Sequence, residues 1–268
     1  MKKKKLSARN ADINRLYEES VQCTEFEVSF INKLFKKYNN TKCKSLREDF
    51  CASALISAEW IQHSKYNTAI AVDLDRTMIK EAKKTSISRL TPKEQKRMKI
   101  FYGDSSKFTS DKVDCVLATN FSYFVFKDRK KLINYFKHVN KQLKNKGILM
   151  LDAFGGYEAH QLLEERTKHK NFTYVWDQSS FNPITHEIKC YIHFEFPDKT
   201  KISKAFTYNW RLWSLPEIQE CLKEAGFNKI DIYMQGWDDK KNEETERFYK
   251  VSKCDADPAW VAYIAARK

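Results

Sequence analysis

Residues 45–75 constrain the fold of this chain more than any other stretch. They read SLREDFCASALISAEWIQHSKYNTAIAVDLD, which predicts a strand, a tight turn, a helix and a second strand. The second strand is the unbroken apolar run at 69–72, typical of strands buried on both faces, and it ends at Asp73. In doubly wound sheets an acid at this place accepts hydrogen bonds from both hydroxyls of a ribose. The stretch therefore predicts a βαβ unit that holds a nucleoside.

The first turn of this unit lacks the glycines that a dinucleotide-binding turn needs. The positions are occupied by Phe50, Ala52 and Ala54. Glycine is favoured there because the backbone must approach the pyrophosphate closely. Nicotinamide and flavin enzymes therefore fit this sequence poorly.

The chain is strongly basic, with a formal net charge of +14 over 268 residues. A nucleic-acid partner is one explanation of such a charge. The excess comes from 38 Lys against 11 Arg, and the Lys are spread along the whole chain. Arginine is the residue that makes bidentate phosphate and base contacts, so its scarcity favours a solvated lysine-rich surface. A nucleic-acid partner stays open but is not favoured.

The seven cysteines show no metal-binding or disulfide pattern, because their number is odd, their spacings are wide and no Cys-x-x-Cys occurs. No apolar run is long enough to cross a membrane, and the basic N-terminus has no apolar region behind it. We therefore expect a cytoplasmic protein without a membrane partner, and the sequence leaves monomer and homodimer open.

The remaining pattern predicts alternating helices and strands followed by a β-rich segment. A helical pattern covers 11–38, and an amphipathic helix covers 130–144. Further core strands are predicted at 98–102, 113–120, 147–152, 229–234 and 260–265. Between them, three closely spaced β segments (172–176, 187–196 and 201–213) predict an antiparallel meander. A helix begins at Ser214, with Pro216 and Glu217 in its first turn, and ends before Gly226.

With this order of elements, the motif Arg-Glu-Asp-Phe-Cys-Ala-Ser at 47–53 resembles class I S-adenosylmethionine-dependent methyltransferases. Within them it is similar to a bacterial group whose first motif reads Arg-Glu-Asp-Phe-Cys-Gly-Thr. The resemblance implies an α/β fold with a doubly wound, seven-stranded, Rossmann-like sheet and an antiparallel β insertion as a substrate lid. It also implies an N-terminal helical lid segment at 1–40 and a methyltransferase domain at 41–268, with the meander inserted at about 172–213.

The resemblance further implies S-adenosylmethionine as the cofactor, S-adenosylhomocysteine as its product, and a set of residues that contact them. In the family pattern Glu48 is the acid at the end of the first strand, and Asp73 and Leu74 flank the ribose and adenine. The other expected contacts are Cys51, Ala52 and Ser53 near the methionine end, Asp104 and Ser105 at the adenine, and Asn120 beside the sulfonium. Tyr17 is either a lid residue over the cofactor or ordinary core.

Asn120 and Tyr123 are the catalytic candidates. Their segment, Asn-Phe-Ser-Tyr, resembles faintly the Asn-Pro-Pro-Tyr motif of enzymes that methylate planar nitrogens, although both prolines are missing. An unrelated loop is the alternative. Because methyl transfer from a sulfonium mainly needs orientation, we expect no catalytic triad.

Aromatic residues of the meander and its surroundings are the candidates for binding the methyl acceptor. An aromatic wall can hold a cationic amine, and Arg211 can clamp a carboxylate or phosphate. The alternative is that these side chains are the packing of the meander itself. The candidates are Tyr174, Trp176, His193, Tyr208, Trp210, Arg211 and Trp237. A metal site at His186, Cys190 and His193 is disfavoured, since 193 points away from the other two on a strand, and we expect no metal.

Three hypotheses for the function follow from these patterns. The favoured one is methyl transfer to a small molecule at an amine nitrogen, with oxygen and sulfur acceptors open. The second is an RNA- or protein-modifying methyltransferase, which rests on the charge and on the segment from Asn120 to Tyr123. The third is a protein that binds the nucleoside without turnover, which the missing glycines motivate.

Overall fold

The computed structural model describes residues 5–238 and 243–268, and the chain forms two compact units. The β-meander unit comprises Met1–Gln22, Gly155–Trp213 and Ala256–Ala259. The mixed-sheet unit comprises Cys23–Phe154, Ser214–Asp255 and Trp260–Lys268. The prediction of an α/β protein with a separate antiparallel sheet is confirmed.

Helices and strands are numbered along the chain. The helices are α1 (Ile13–Val21), α2 (Thr24–Asn39), α3 (Leu55–His63), α4 (Arg76–Lys84), α5 (Pro92–Gln95), α6 (Arg129–Gln142) and α7 (Leu215–Glu224). The strands are β1 (Ser45–Asp49), β2 (Thr68–Asp73), β3 (Met98–Tyr102), β4 (Val113–Ala118), β5 (Leu143–Gly155), β6 (Leu163–Lys168), β7 (Thr173–Asn182), β8 (Glu187–Glu195), β9 (Lys201–Arg211), β10 (Lys229–Asp238), β11 (Glu243–Val251) and β12 (Trp260–Arg267). Two short 3₁₀ turns lie at Ser122–Val125 and Tyr157–His160. Among the helices described, none combines the length and the apolar character needed to cross a membrane.

The mixed-sheet unit is built on one sheet with the strand order β11-β10-β12-β5-β4-β1-β2-β3. Strands β1 to β5 pair in parallel, whereas β10 pairs antiparallel with β11 and β12. The chain leaves β1 toward β2 and β3 and then crosses back to β4, so the topological switch point lies between β1 and β4. Ligands of doubly wound sheets bind at the carboxyl ends of the strands beside this point.

We expected seven strands in this sheet, but within the described residues it has eight. The additional strand, β11, forms an antiparallel hairpin with β10 and takes the outer edge. Its sequence, EETERFYKV, carries mostly polar residues. An edge strand pairs on one side only, so it does not need the apolar run that marked the inner strands.

Helix α2, the second N-terminal helix, packs into the core of the mixed-sheet unit. Helix α2 has acidic residues in its first turn and basic ones in its last, which complement its dipole. Its buried face packs with Trp60 and Ile61 of α3 in one hydrophobic cluster. The apolar residues of this face are Val28, Phe30, Ile31, Leu34 and Phe35, and Glu27 is buried beside them.

The β-meander unit is a four-stranded antiparallel sheet in the order β6-β7-β8-β9. Leu16 of α1 is buried against Phe172, Ile192 and Phe194. The ring of Tyr17 lies 4.7 Å from that of Phe206. Strand β6 extends the meander beyond the predicted 172–213; its sequence, LEERTK, is polar, and it also lies at a sheet edge.

The helical pattern at 11–38 is two helices, and the two belong to different units. Gln22 is extended and ends α1, whereas α2 begins at Thr24. Leu16 packs in the meander cluster, and the apolar face of α2 packs in the mixed-sheet cluster. The compact units therefore divide the expected 1–40 segment at Gln22.

Candidate functional site

The turn that follows β1 has left-handed backbone at every second residue. Phe50, Ala52 and Ala54 have φ angles of 57°, 45° and 54°. For a residue with a Cβ this region costs roughly 1–2 kcal/mol, so it persists only where the surrounding structure holds it. The backbone conformation that glycine would favour is thus formed without glycine. Strain of this kind marks the turn as a candidate ligand site.

Asp73, at the end of β2, holds this turn through its carboxylate. Its Oδ2 accepts the backbone N–H of Ala52 at 2.8 Å, and its Oδ1 accepts that of Asp75 at 2.8 Å. A carboxylate offers about four lone-pair sites, so these backbone bonds leave room for a further donor such as a ribose hydroxyl. Leu74 beside it is 63% exposed. The arrangement fits the predicted nucleoside contact.

Glu48, at the end of β1, is buried and faces the start of α3. Its Oε2 accepts the N–H of Ser57 at 2.9 Å and the Ser57 hydroxyl at 2.5 Å. Ala54, the N-cap of α3, has no side-chain capping bond, so Glu48 supplies the cap from the neighbouring strand. Burial raises the pKa of Glu48 to about 7, against the opposing effect of the Ser57 hydrogen bonds.

Cys51 and Ser53, the other predicted residues of this turn, are only 1% and 2% exposed. The N–H of Cys51 donates to the carbonyl of Val72 in β2. The turn therefore offers a ligand chiefly its backbone and the partly exposed Ala52.

A buried arginine joins β1 to the loop that follows β3. Arg47 Nε donates to Asp49 at 2.7 Å, and its two terminal nitrogens donate to the carbonyls of Ser105 (2.8 Å) and Phe108 (2.9 Å). The Tyr135 hydroxyl binds the second oxygen of Asp49. Since every guanidinium nitrogen has an acceptor, Arg47 fixes the loop that carries Asp104 and Ser105.

Asp104 and Ser105 are placed differently within that loop. Asp104 is partly exposed, and its Oδ1 accepts the N–H and the hydroxyl of Ser106. Ser105 is buried, and its Oγ accepts the N–H of Phe50 at 3.4 Å. Ser105 thus links the loop to the first turn, while the second oxygen of Asp104 lies 3.6 Å from the exposed Lys107 ammonium.

The loop after β4 is held by Asp152 of β5, which the sequence pattern did not indicate as a site residue. Its two carboxylate oxygens accept the N–H groups of Asn120 (2.7 Å) and Phe121 (2.9 Å). Both of these residues are left-handed, with φ of 55°. Burial raises the pKa of Asp152 to about 7, against the opposing backbone hydrogen bonds. The one signal in the sequence is an acid that follows the apolar run Ile-Leu-Met-Leu in β5.

Tyr123 is fully buried and its hydroxyl donates to the carbonyl of Asp152 at 2.7 Å. This arrangement favours a structural part for the side chain over stacking on an acceptor. Asn120, in contrast, is only partly buried. The catalytic assignment of both residues stays a prediction.

The aromatic candidates of the β-meander unit form one packed group. Ring centroids lie 4.3 Å apart for Tyr208 and Trp210, and 5.9 Å apart for Trp176 and Tyr208. Tyr174 packs against the same cluster, and the Arg211 guanidinium lies 3.8 Å from the ring centre of Trp213. Trp237 belongs to the mixed-sheet unit, where it is 55% exposed.

His193 lies in a group with Glu164 and Asp177, whose ligand atoms are all within 4.8 Å of one another. The Nδ1 atom of His193 accepts the N–H of Lys204, so Nε2 carries the proton and donates to Asp177 at 3.1 Å. Glu164 pairs with Arg166 at 2.7 Å. A metal ion would have to displace the Nε2 proton, so the hydrogen bonds favour a structural network.

Comparisons with known proteins bear on this geometry. No family model matches the chain. A curated relative from Geobacillus sp. (strain WCH70), which carries a provisional methyltransferase assignment, is 20% identical over 234 residues, covering 84% of this chain and 90% of the relative. The crystal structure of an S-adenosylmethionine-dependent methyltransferase from Clostridium acetobutylicum is similar with a TM-score of 0.67 and 19% identity, over 94% of this chain and 96% of the other.

A third similar protein is CalS10 with bound S-adenosylmethionine, an amino pentose methyltransferase from Micromonospora echinaspora. Its TM-score is 0.66 at 11% identity, and the match covers 95% of this chain and 96% of CalS10. The chain has the class I methyltransferase fold. Asp73 and the strained turn follow the carboxyl ends of β2 and β1, beside the switch point at which doubly wound sheets bind ligands. The relatives together support an S-adenosylmethionine-dependent methyltransferase, in line with the resemblance seen in the sequence.

Proposed function

We propose that this chain transfers a methyl group from S-adenosylmethionine to a small molecule, at an amine nitrogen. The observation that carries the proposal is the hydrogen bond from the strained Ala52 N–H to Asp73. It joins the turn after β1 to the acid after β2 beside the switch point of a methyltransferase fold. The remaining lone pairs of Asp73 fit a ribose.

The cofactor contacts follow the carboxyl ends of the parallel strands. We assign the ribose and adenine to Asp73 and Leu74, and the far side of the adenine to Asp104 and Ser105. For the methionine end we assign the turn from Glu48 to Ser53, with Cys51 and Ala52 between them, and for the reacting centre Asn120. For Tyr17, a contact with the cofactor is retained as part of the proposal.

The residues of the chain contribute orientation. The cofactor supplies an electrophilic methyl group that its positive sulfur already activates. Two loops, one held by Asp73 and one by Asp152, fix the surroundings of the reacting atoms. Orientation of this kind supplies on the order of 7–11 kcal/mol of a barrier, so no nucleophile or triad is required. An amine acceptor must also lose a proton before it can attack.

The proposal of an amine acceptor draws on two supports. Structures similar to this chain include a sugar N-methyltransferase, KedS8, and the glycopeptide N-methyltransferase MtfA. The β-meander unit carries an aromatic cluster and Arg211 above a Trp ring, which are groups suited to cations and to carboxylates. We propose that this unit recognises the acceptor as a substrate lid.

Calorimetric titration with S-adenosylmethionine is the first test, followed by a product assay with pools of amines and of RNA. The expected outcome is micromolar binding and formation of S-adenosylhomocysteine with the amines only. Binding without product in any pool would instead support a nucleoside-binding protein. Absence of binding would contradict the proposal as a whole.

A basic groove bears on the RNA alternative. Four lysines line it: Lys33, Lys36, Lys42 and Lys44. The groove also includes Asn67, so it adjoins the amino ends of β1 and β2. Asp73 and Asn120 lie at the carboxyl ends of their strands. This groove therefore does not lead to the candidate site, and a small-molecule acceptor remains favoured.

A further inference from the structure

Glu27 is a buried acid for which the fold gives no structural reason. It lies in the first turn of α2, in the mixed-sheet unit, and is 4% exposed. Its Oε2 atom has no hydrogen-bond partner among the described residues. Most buried side-chain polar atoms are bonded, and each exception calls for an explanation such as an absent ligand.

The groups that act on the Glu27 carboxyl are acids and one tyrosine. Asp152 of β5 and Glu48 of β1 both act through their negative charge, and the Tyr263 hydroxyl of β12 donates a hydrogen bond. Cys23, just before α2, acts on Tyr263. The cations of α2 itself, Lys33, Lys36 and Lys37, are exposed on its later turns. Helix α3, which packs on α2, carries Glu59 and the exposed His63, and neither acts on Glu27.

The other two carboxyls of this group have their protein partners. Glu48 caps α3 through Oε2, and Asp152 holds the Asn120 loop with both oxygens. Glu27 Oε2, in contrast, is buried and has no hydrogen-bond partner among the described residues. Burial, then the charges of Asp152 and Glu48, raise the pKa of Glu27 well above its usual range. The Glu27 carboxyl therefore keeps its proton to higher pH than an exposed glutamate does.

We propose that Glu27, Glu48 and Asp152 form a cation-binding subsite that receives the positively charged end of S-adenosylmethionine, and that Glu27 releases its proton to solvent when that end binds. The inference rests on the proposed function and adds a residue of α2 and a proton to it. The cofactor carries a sulfonium, an ammonium and one carboxylate, hence one net positive charge. No covalent bond changes except carboxyl O–H bonds: that of Glu27 breaks, as do those of the protonated fraction of Glu48 and Asp152 near pH 7, and each proton leaves as hydronium.

The pH dependence of cofactor affinity follows from the difference in bound protons between the free and the cofactor-bound protein. A bound cation lowers the pKa of Glu27, so the cofactor-bound protein holds fewer protons than the free protein. Affinity for the cofactor therefore rises with pH across the interval between the bound and the free pKa, and levels off above it.

Calorimetry of the full chain at pH 7 in phosphate and in Tris measures the number of protons released on binding, because the two buffers differ in ionisation enthalpy. We expect proton release with S-adenosylmethionine and none with 5′-methylthioadenosine, which has the same nucleoside but no charge. Glu27→Gln should lower S-adenosylmethionine affinity about tenfold, the scale of one charge-assisted hydrogen bond, and reduce the proton count. It should leave the affinity for 5′-methylthioadenosine unchanged.

Glu25→Gln is the matched control, since Glu25 is an exposed acid in the same helical turn. It should behave as the unsubstituted chain. Equal proton counts and affinities for the two variants would overturn the subsite while leaving the proposed function standing. If the unsubstituted chain does not bind S-adenosylmethionine, the proposed function itself fails. Thermal melting of Glu27→Gln checks folding, and the substitution should not lower Tm because it removes a buried acid.

Discussion

Two loops of the mixed-sheet unit contain left-handed backbone, and a different carboxylate holds each of them. After β1, left-handed Ala52 donates its N–H to Asp73 of the adjacent strand β2. After β4, left-handed Asn120 and Phe121 donate theirs to Asp152 of the adjacent strand β5. In both, a neighbouring strand supplies the acceptor that keeps strained backbone in place.

The two acids differ in what they have left to offer. Asp73 is partly exposed, and the backbone bonds that its oxygens accept leave room for a ligand donor. Asp152 is 6% exposed and both of its oxygens serve consecutive residues of one loop. Asp73 is therefore the acid with lone pairs left for a ligand hydrogen bond, whereas Asp152 holds the loop with both oxygens and can act on a ligand through its charge.

The largest expected effect is a loss of stability when the loop after β4 loses its acceptor. Asp152→Ala leaves two N–H groups without their acceptor, and we expect the free energy of unfolding to fall by about 3 kcal/mol. Urea denaturation at pH 7 measures it. Asp73→Ala, whose lost partners lie closer to solvent, should cost clearly less. Equal losses of unfolding free energy in the two variants would contradict the proposed difference between Asp152 and Asp73.

The second effect concerns the ligand. Asp73→Ala should weaken S-adenosylmethionine binding at least about 100-fold, the scale of two charge-assisted hydrogen bonds to ribose hydroxyls. Calorimetry on the folded variant is the measurement. Asp75→Ala serves as a neighbouring control, because that carboxylate caps α4 instead. Near-normal affinity of Asp73→Ala would contradict the assignment of Asp73 to the ribose.

Tyr123→Phe tests whether the loop after β4 contains a catalytic tyrosine. Removing the hydroxyl leaves the Asp152 carbonyl unpaired, and we expect a loss of about 1.5 kcal/mol in unfolding free energy. Cofactor affinity and the KM of the acceptor should stay unchanged, since the side chain is fully buried. A raised KM with unchanged stability would restore the catalytic prediction and remove the structural one.

The sequence predicted the inner strands because burial on both faces leaves a continuous apolar run. The runs at 69–72 and 147–152 became β2 and part of β5 in this way. Strands β6 and β11 escaped prediction for the opposite reason, as each is a polar strand at a sheet edge. Periodicity reports what is buried, and an edge strand is buried least.

Site residues could be predicted where their place in their own strand identifies them. They could not be predicted where they act through contacts with residues distant in the sequence. Asp73 could be selected because it ends its own strand. Asp152 acts on residues 31 and 32 positions earlier, and Arg47 acts on carbonyls 58 and 61 positions later. Such contacts depend on strand order and register, which no local pattern specifies. Glu27 was likewise indistinguishable from the other acids that favour a first helical turn.

The smallest effect compares the strain in the two loops. Ala52→Gly should stabilise the chain by about 1 kcal/mol, because glycine adopts φ of 45° without steric cost. Asn120→Gly should gain clearly less, since asparagine tolerates the left-handed region better than alanine. Ala58→Gly, in the interior of α3, is the matched control and should lose about 1 kcal/mol. Thermal unfolding of the three variants places them in one order, with Ala52→Gly above the unsubstituted chain and Ala58→Gly below it. If Ala52→Gly is destabilising, alanine makes a contact that outweighs the strain, and the turn after β1 is held by packing instead of by Asp73.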